Sequence, residues 1–254
     1  MARQDPLFVS SVGRSMSVLE AFDTPLKSLS LTEVSRITAL NRSAAQRFLY
    51  TWTSLGYLEK EQDSKRFRLT PKILGPGYNY LKSNLMVEVA NPLLLDIRDR
   101  TGNSVYLGTM DGPNVIYIAR FPKRFAYFKA TLPGRRVPAF CASGGRAMMA
   151  CMPDDRVMEI LRQSDLRQIT PYTITDPDRI MAEIQKARDQ GFAIAVQELL
   201  TGEISVSAAI TDPAGKPMAS VHIAAKFKDW PVERIKEELA PIAADVAQMI
   251  GPPF

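Results

Sequence analysis

The feature that most constrains the fold is the stretch of residues 28–70, SLSLTEVSRITALNRSAAQRFLYTWTSLGYLEKEQDSKRFRLT. Ser30 and Glu33 have the S-x-x-E spacing of a capping box, and an apolar stripe at helical spacing follows them. A capping box satisfies N–H groups that the first turn of a helix leaves unpaired. The sequence therefore predicts a first helix from about Leu31 to Ala39.

A second helix is predicted over 42–54, directly after Asn41, which is a favourable N-cap residue. Apolar residues recur at helical spacing along it, and Gly56 stands where a left-handed residue would end the helix. The opposite face is polar, and short side chains at its start would let the backbone approach a partner closely. The residues expected to contact that partner are Arg42, Ser43, Ala44, Gln46, Arg47 and Tyr50.

A basic hairpin is predicted next, because the alternating segments 57–60 and 66–70 flank a polar turn. Two short helices, a turn and a two-stranded wing form the arrangement that places the second helix in the DNA major groove. Gln and Arg can contact adenine and guanine edges, while Lys65, Arg66 and Arg68 on the wing would meet phosphates. The alternative is that these charges only solvate amphipathic helices. The ordered series of elements favours binding to double-stranded DNA.

The distribution of charge agrees with this interpretation. Residues 1–76 contain 11 Lys and Arg and 7 Asp and Glu, whereas residues 77–254 contain 21 and 20. Most of the net charge of +5 therefore lies in less than a third of the chain. A module that binds phosphates is expected to carry such an excess.

The rest of the sequence limits the class of protein. With 254 residues, 46% of them hydrophobic, the chain is long enough for two domains, each with its own core. No apolar run approaches the roughly 20 residues of a membrane helix, and the N-terminus has no apolar signal-peptide segment. Two cysteines and no targeting segment lead us to expect a cytoplasmic protein with no membrane partner.

Beyond a boundary near residue 80, strand and helix patterns alternate, which indicates an α/β sensor-like domain with a largely antiparallel sheet. The first two strands, at 105–107 and 115–118, flank a strong turn signal at 111–114. Helices are predicted at 144–152, 154–163, 177–190 and 231–249, and further strands at 192–197, 204–211 and 217–225. The fold class of the whole chain is therefore α+β.

Several segments, in colinear order along nearly the whole chain, resemble the isocitrate-lyase-regulator (IclR) family of bacterial transcription factors. They are SVGRSMSVLEAF at 11–22, SLTEVSRITALNRSAAQRFLYTWTSLGYLEK at 30–60, RFRLTPKILGPG at 66–77, ASGGRAMMA at 142–150, ITDPDRIMAEIQKARDQGFA at 174–193 and the tract 198–224.

The resemblance implies a winged helix-turn-helix domain over 1–77, a linker helix over 78–90 and a GAF/PAS-like α/β effector-binding domain over 91–254. Members of this family form homodimers that pair into tetramers as dimers of dimers. They bind pseudo-palindromic operator DNA near catabolic genes, as repressors or activators, and respond to a small organic-acid effector. No cofactor is implied.

The resemblance also implies an effector pocket. One wall is the loop before the helix at 144–152, whose backbone N–H groups can face a carboxylate. The other wall is a pair of strands, where the best-known members carry Asp, Cys and two hydroxyl residues. Three of those four strand positions differ here in polarity or chemistry, which disfavours a glyoxylate- or pyruvate-like ligand. The pocket positions in this sequence are Ser143, Gly144, Gly145, Ala195, Ser205, His222 and Ala224.

Two further features bear on the effector. The tract 117–140 interleaves aromatic residues with Lys and Arg and contains no acidic residue. We expect this tract, with Tyr127 and Phe128, to form a wall over the pocket and to favour a bulkier, aromatic or amphipathic carboxylate. A solvated hairpin edge or a single-stranded nucleic-acid surface are the alternatives. His222, the only histidine, is either a ligand contact or an ordinary satisfied histidine.

An enzyme is the alternative class of function. Cys141 precedes a predicted helix start, where a thiolate would be stabilised, and His222 could serve as its base in a cysteine-based hydrolase. No residue that would orient the histidine is identifiable, and a free cysteine is often a small hydrophobic residue. Cys141 and Cys151 could also form a disulfide, although nothing in the sequence favours it. The sequence contains no metal-ligand cluster, P-loop or dinucleotide motif.

Overall fold

A computed structural model describes residues 7–123 and 132–251. The chain divides into two compact units, Met1–Leu81 and Lys82–Phe254. Within the described ranges, no helix combines the length and the apolar character needed to span a bilayer.

The first unit is a helix-turn-helix domain with a short wing. Buried side chains from every element, including Val18, Val34, Leu49 and Leu58, form one core. The elements are α1 (Ser10–Glu20), α2 (Leu31–Thr38), α3 (Arg42–Ser54), β1 (Leu58–Lys60) and β2 (Phe67–Leu69).

Local hydrogen bonds explain where these helices begin. The Glu33 N–H donates to Ser30 Oγ at 3.3 Å, and the Ser30 N–H donates to Glu33 Oε2 at 2.7 Å, so the predicted capping box is confirmed. Asn41 Oδ1 accepts from the Ala44 N–H at 2.8 Å and starts α3. Gly56 has φ +78°, the left-handed conformation expected after this helix.

Two helices connect the wing to the second unit: α4 (Leu74–Ser83) and α5 (Leu85–Thr101). The segment 78–90, expected as a single linker helix, therefore contains the end of α4 and the start of α5. The break lies at Asn84, whose side chain accepts a hydrogen bond from the Val87 N–H at 3.3 Å and so begins a new helix.

Within the described ranges of the second unit, six strands form a sheet in the order β5-β4-β3-β8-β7-β6. Each neighbouring pair is antiparallel, as the sequence predicted. The strands are β3 (Ser104–Asp111), β4 (Asn114–Phe121), β5 (Arg136–Pro138), β6 (Ala193–Val196), β7 (Glu203–Thr211) and β8 (Pro217–Lys226).

Helices cover this sheet. Helix α6 packs on strands β6, β7 and β8, and α8 packs on β6 and against α6, while α5 and α10 pack on the sheet and against each other. The C-terminal segment, predicted as one helix over 231–249, has a π-helical turn at Ile235–Leu239, just before Pro241, a residue that has no backbone N–H to donate. The helices are α6 (Ser143–Ala150), α7 (Asp154–Gln163), α8 (Pro177–Gln190), α9 (Val232–Arg234) and α10 (Ala240–Ile250).

Candidate DNA-binding surface and effector site

Helix α3 presents the polar face that the sequence predicted. Ala45 and Leu49 are fully buried in the core of the first unit, which fixes the rotation of the helix. Tyr50, on the opposite face, is 73% exposed. Of the α3 residues expected to contact DNA, Ala44 is half-buried, and the exposed ones are Arg42, Ser43, Gln46, Arg47 and Tyr50.

The three wing residues expected to contact phosphates lie in different environments. Lys65 is exposed, and Arg68 is exposed and forms an ion pair with Glu59 of the neighbouring strand. Arg66 is half-buried and binds Ser28 and Glu33. Lys65 also lines a groove with Arg42 and Gln46 of α3, so two of the predicted α3 contacts and the wing meet at one surface.

Arg66 ties the wing to the start of α2. Its Nη2 donates to Glu33 Oε2 at 2.7 Å and to the Ser28 carbonyl at 2.7 Å, and its Nε donates to Ser28 Oγ at 3.1 Å. The pKa of Glu33 is lowered, chiefly by the Ser30 backbone N–H and hydroxyl and also by Arg66. The guanidinium expected to meet phosphate is therefore held by the capping box.

In the second unit, the start of α6 meets the sheet at a buried hydroxyl cluster. Ser143 Oγ lies 3.0 Å from Ser205 Oγ, 2.8 Å from Ser207 Oγ and 3.1 Å from His222 Nδ1. Each of these four residues is at most 4% exposed. Buried polar groups need such partners, since leaving one unpaired costs about 1–3 kcal/mol.

Strand register explains why residues so distant in sequence meet here. Ser205 is paired with Ala195 on one side and with Ala224 on the other, and Ser207 is paired with His222. Paired residues share one face of a sheet, and so do residues two apart on a strand. The structure therefore brings Ser143 into contact with two of the four predicted strand positions, Ser205 and His222, and the strand register places Ala195 and Ala224 on the same face of the sheet. Ser207 was missed, although its alternation with Ser205 could have indicated it.

Two glycines allow α6 to approach its neighbours. A Cβ on Gly145 would lie 2.2 Å from the Ala139 carbonyl oxygen, and a Cβ on Gly144 would lie 2.7 Å from Ser220 Oγ. The first contact is with backbone, which moves less easily than a serine side chain. Gly145 therefore sets how closely the start of α6, and with it Ser143, packs against the preceding turn.

We expect Gly145→Ala to destabilise the second unit by about 1–3 kcal/mol, the usual cost of overpacking a dense core. The measurement is the free energy of unfolding in urea. Gly144→Ala is the matched control, with a smaller expected loss because the Ser220 side chain can turn away. Equal losses in the two variants would mean that the Ala139 backbone contact is not the reason for glycine at position 145.

An aromatic layer borders the hydroxyl cluster. The rings of Tyr106 and His222 are stacked with centroids 5.4 Å apart, and Tyr117 meets His222 edge to face at 5.5 Å. The Arg120 guanidinium lies 4.4 Å from the centroid of Tyr106 and 5.1 Å from that of Tyr117. Tyr117 and Arg120 belong to the tract 117–140; Tyr127 and Phe128 of that tract lie outside the described residues.

His222 is uncharged in this environment. Burial lowers its pKa to about 3, and the charges of Arg120 and Arg135 contribute in the same direction. Neutral imidazole has one donor and one acceptor nitrogen. His222 can therefore hydrogen-bond a ligand but does not supply a counter-charge for an anion at neutral pH.

A buried ion pair joins α6 to the segment that follows β6. Arg146 Nη1 and Nη2 donate to Glu198 Oε1 and Oε2 at 2.6 and 2.8 Å, and the two side chains are 1% and 4% exposed. Arg146 Nε also donates to the Phe140 carbonyl at 2.8 Å, and the Ile174 N–H donates to Glu198 Oε2 at 3.0 Å. Every charged atom in this pair thus has a partner.

The two cysteines are free, Cys141 buried and Cys151 exposed. Burial and the charge of Glu198 raise the pKa of the Cys141 thiol to about 12. Its Sγ lies 3.7 Å from the Pro138 carbonyl, whereas the described partners of His222 Nδ1 are the Ser143 and Ser207 hydroxyls. An activated cysteine has a lowered pKa, so this environment is the reverse of a thiolate site. Among the described residues, no three His, Cys, Asp or Glu side chains group as metal ligands.

Comparison with known proteins covers both units. Residues 11–62 match the family model described as IclR helix-turn-helix domain, and residues 78–251 match Bacterial transcriptional regulator IclR C-terminal. The Pca regulon regulatory protein of Pseudomonas putida is 32% identical over 239 residues, which are 94% of this chain and 81% of that protein.

Solved structures share the fold. The Thermotoga maritima IclR structure has a TM-score of 0.69 and 25% identity, and the match covers 96% of this chain and 98% of that one. A structure described as an IclR homolog complexed with 4-hydroxybenzoate, from Microbacterium hydrocarbonoxydans, has a TM-score of 0.75. Its identity is 20%, and the match covers 94% of this chain and 97% of that one.

Proposed function

Because the chain belongs to the IclR family of bacterial transcriptional regulators, we propose that it controls a catabolic operon in response to a small organic acid. The observation that carries this proposal is the buried Ser143–Ser205–Ser207–His222 cluster, which brings neutral polar groups from α6, β7 and β8 together inside the second unit. A few convergent polar groups beside aromatic and apolar side chains are the usual recognition elements of a small-molecule site. The place of action is the cytoplasm, since the operator DNA of a bacterium lies there.

We propose that α3 enters the major groove and that its exposed residues Arg42, Ser43, Gln46 and Arg47 read base edges. Lys65 and Arg68 are positioned to hold phosphates, with Ala44 and Tyr50 at the edge of the contact. Arg66, which binds Ser28 and Glu33, is a structural residue in this proposal. A homodimer would place two such helices about 34 Å apart on successive half-sites, and two dimers would form the tetramer.

For the effector we propose an aromatic carboxylic acid. Tyr106 and Tyr117 provide aromatic surface beside the hydroxyl cluster, and nearby Arg120 and Arg135 favour an anion. The 4-hydroxybenzoate in the Microbacterium homologue supports this class of ligand. The acid would change the affinity for DNA only to the extent that it binds the DNA-competent and DNA-incompetent arrangements differently.

We do not propose a cysteine hydrolase. The relatives named above are regulators, and the pKa of Cys141 is raised rather than lowered. His222 Nδ1 contacts the hydroxyls of Ser143 and Ser207, whereas in a cysteine hydrolase the histidine would contact the cysteine thiol.

The test of the function is a gel shift with the intergenic DNA upstream of the gene, in the presence and absence of aromatic acids. We expect specific binding that 4-hydroxybenzoate or a related aromatic acid changes. Absence of specific binding would contradict the role as regulator. A response only to short aliphatic oxoacids would contradict the aromatic class.

We expect His222→Ala to weaken effector binding by about 10- to 100-fold, because one hydrogen-bonding group and one ring of the aromatic layer are lost. DNA binding without effector should be unchanged. Isothermal titration calorimetry measures the effector affinity, and a gel shift measures DNA binding. Gln185→Ala, on the exposed face of α8, is the control. Unaltered effector affinity in His222→Ala would remove His222 from the pocket.

A further inference from the structure

Arg120 is a buried cation whose Nε lacks a hydrogen-bond partner among the residues that the structure describes. It is 8% exposed, and its Nη1 donates a long hydrogen bond of 3.4 Å to the Leu132 carbonyl. Within the described ranges, it forms no ion pair with a carboxylate, in contrast to Arg146, which is paired and bonded at every nitrogen.

Burying a guanidinium in this way is unfavourable unless hydrogen-bond acceptors reach its N–H groups. A buried charge that is not hydrogen-bonded to a carboxylate carries a desolvation penalty of several kcal/mol. The rings of Tyr106 and Tyr117 stabilise the face of the guanidinium. The N–H groups at its edge still require acceptors, and a carboxylate provides two in the matching geometry.

The charges around Arg120 also favour an anion. Glu203 is the acidic neighbour, and burial raises its pKa against the opposing charges of Arg135, Lys123 and Arg120. Three cations therefore surround one carboxylate that is itself disfavoured as an anion. His222, with its lowered pKa, is neutral and adds no further positive charge.

A register shift places Arg120 on the face of the hydroxyl cluster. Tyr117 and Arg120 are three apart on β4 and would point to opposite faces of a regular strand. The pairing of β3 with β4 shifts between Leu107 and Gly108, so Arg120 is opposite Tyr106 and Tyr117 is opposite Gly108. Both side chains therefore lie on the face of Tyr106, whose partner on the other side is His222.

The hydroxyl cluster offers a different chemistry. The Ser143 O–H donates to Ser205 Oγ at 3.0 Å, and Ser143 Oγ also lies within hydrogen-bonding distance of Ser207 Oγ and His222 Nδ1, so this end of the site consists of neutral donors and acceptors. A serine O–H and a neutral imidazole suit an uncharged oxygen, such as a hydroxyl, whereas a permanent guanidinium suits a carboxylate. The two ends of the site therefore differ in the groups they prefer.

We infer that Arg120 binds the carboxylate of the effector, so that the hydroxyl cluster at Ser143 and Ser205 receives a second, uncharged polar group. The effector class is then a hydroxy-substituted or oxo-substituted carboxylic acid, oriented with its carboxylate toward Arg120 and away from the N-terminus of α6. This inference rests on the proposed function, since it assumes that the site binds an acid.

The test compares acids with their amides. Isothermal titration of the full chain uses 4-hydroxybenzoate, 4-hydroxybenzamide, benzoate and benzamide as probes. The wild type is expected to prefer each acid over its amide by about 10- to 100-fold, the range for a hydrogen bond to a charged group. Arg120→Met, which keeps an unbranched apolar side chain, should reduce that preference to less than about threefold. Arg136→Met, which removes an exposed arginine paired with Asp111, is the matched control and should keep it.

Three outcomes separate the possibilities. Loss of the acid preference in Arg120→Met alone supports the inference. An unchanged preference in a variant that still binds the acid overturns it and leaves the proposed function intact. If the wild type binds none of the acids, the proposed function fails, and the inference fails with it.

Thermal unfolding without ligand adds a readout that a purely structural role would not share. If Arg120 serves ligand binding, Arg120→Met should unfold at the same temperature as the wild type or higher, because an uncompensated buried charge is removed. A lower unfolding temperature together with an intact acid preference would assign Arg120 to structure and overturn the inference.

Discussion

Arg47→Ala is expected to abolish specific operator binding while leaving effector binding intact. Arg47 is exposed on the face of α3 opposite the buried Ala45 and Leu49, so its side chain makes no contribution to the core. Loss of a good base contact costs about 1–3 kcal/mol per half-site. A dimer loses the contact twice, which brings specific binding close to the non-specific level.

The measurement is fluorescence anisotropy of labelled operator DNA at fixed salt concentration, because phosphate contacts make the affinity strongly salt-dependent. Arg14→Ala is the matched control, since it removes an exposed arginine from α1 in the same unit. The control should shift the affinity only slightly and equally for specific and non-specific DNA. Unchanged operator affinity in Arg47→Ala would mean that α3 is not the reading helix.

Arg146→Ala should produce the largest loss of stability in the second unit, about 3–5 kcal/mol, because it leaves the Glu198 carboxylate buried and unpaired. The Phe140 carbonyl loses its donor in the same variant. Arg146 and Ser143 lie on the same turn of α6, so loss of the ion pair should also displace Ser143. We therefore expect Arg146→Ala to bind the effector more weakly than the wild type.

Urea unfolding of the second unit gives the stability change. The double variant Arg146→Met with Glu198→Leu is expected to recover part of the loss, because it removes both charges, although the Ile174 N–H stays unpaired. Arg156→Ala, which breaks an exposed ion pair with Glu159, should change the stability little. Equal losses of unfolding free energy in Arg146→Ala and Arg156→Ala would show that the burial of the Arg146–Glu198 pair does not determine its contribution to stability.

Much of the first unit follows from local sequence. The bounds of α3 agree with the predicted range 42–54, and the capping box of Ser30 and Glu33 and the left-handed Gly56 lie where the sequence placed them. These features depend on hydrogen bonds between residues three or four apart and on the backbone freedom of one glycine. Such short-range interactions can be predicted from the order of neighbouring residues without knowledge of the tertiary structure.

The role of Arg66 depended on more than local sequence. A basic residue on a wing is ordinarily an expected phosphate contact. Here its guanidinium reaches Glu33, 33 positions earlier in the chain, and shares the carboxylate with the Ser30 N–H. Only the packing of the wing against α2 decides that this charge is used within the protein.

In the second unit, too, some features could be predicted from the sequence and others depend on tertiary packing. Period-2 alternation predicted β7 and β8, and the resemblance to a known family placed Ser143, Ser205 and His222 in one pocket, which the strand register then brings within hydrogen-bonding distance. The ion pair between Arg146 and Glu198 joins residues 52 positions apart and leaves no signal in the local pattern.

The sequence by itself determined the order and type of most elements and the side of α3 that is free to meet DNA, because both depend on short-range periodicity. It did not predict the break at Asn84, the short strand β5 or the π-helical turn at Ile235–Leu239. The tertiary structure alone decided that the Arg120 guanidinium faces the proposed effector site. A shift in the pairing of β3 with β4 turns Arg120 onto the face of Tyr106 and His222, and no local pattern records such a shift. Side-chain direction in a sheet changes with each single residue of register, so a contact across strands is settled only when the strands have paired.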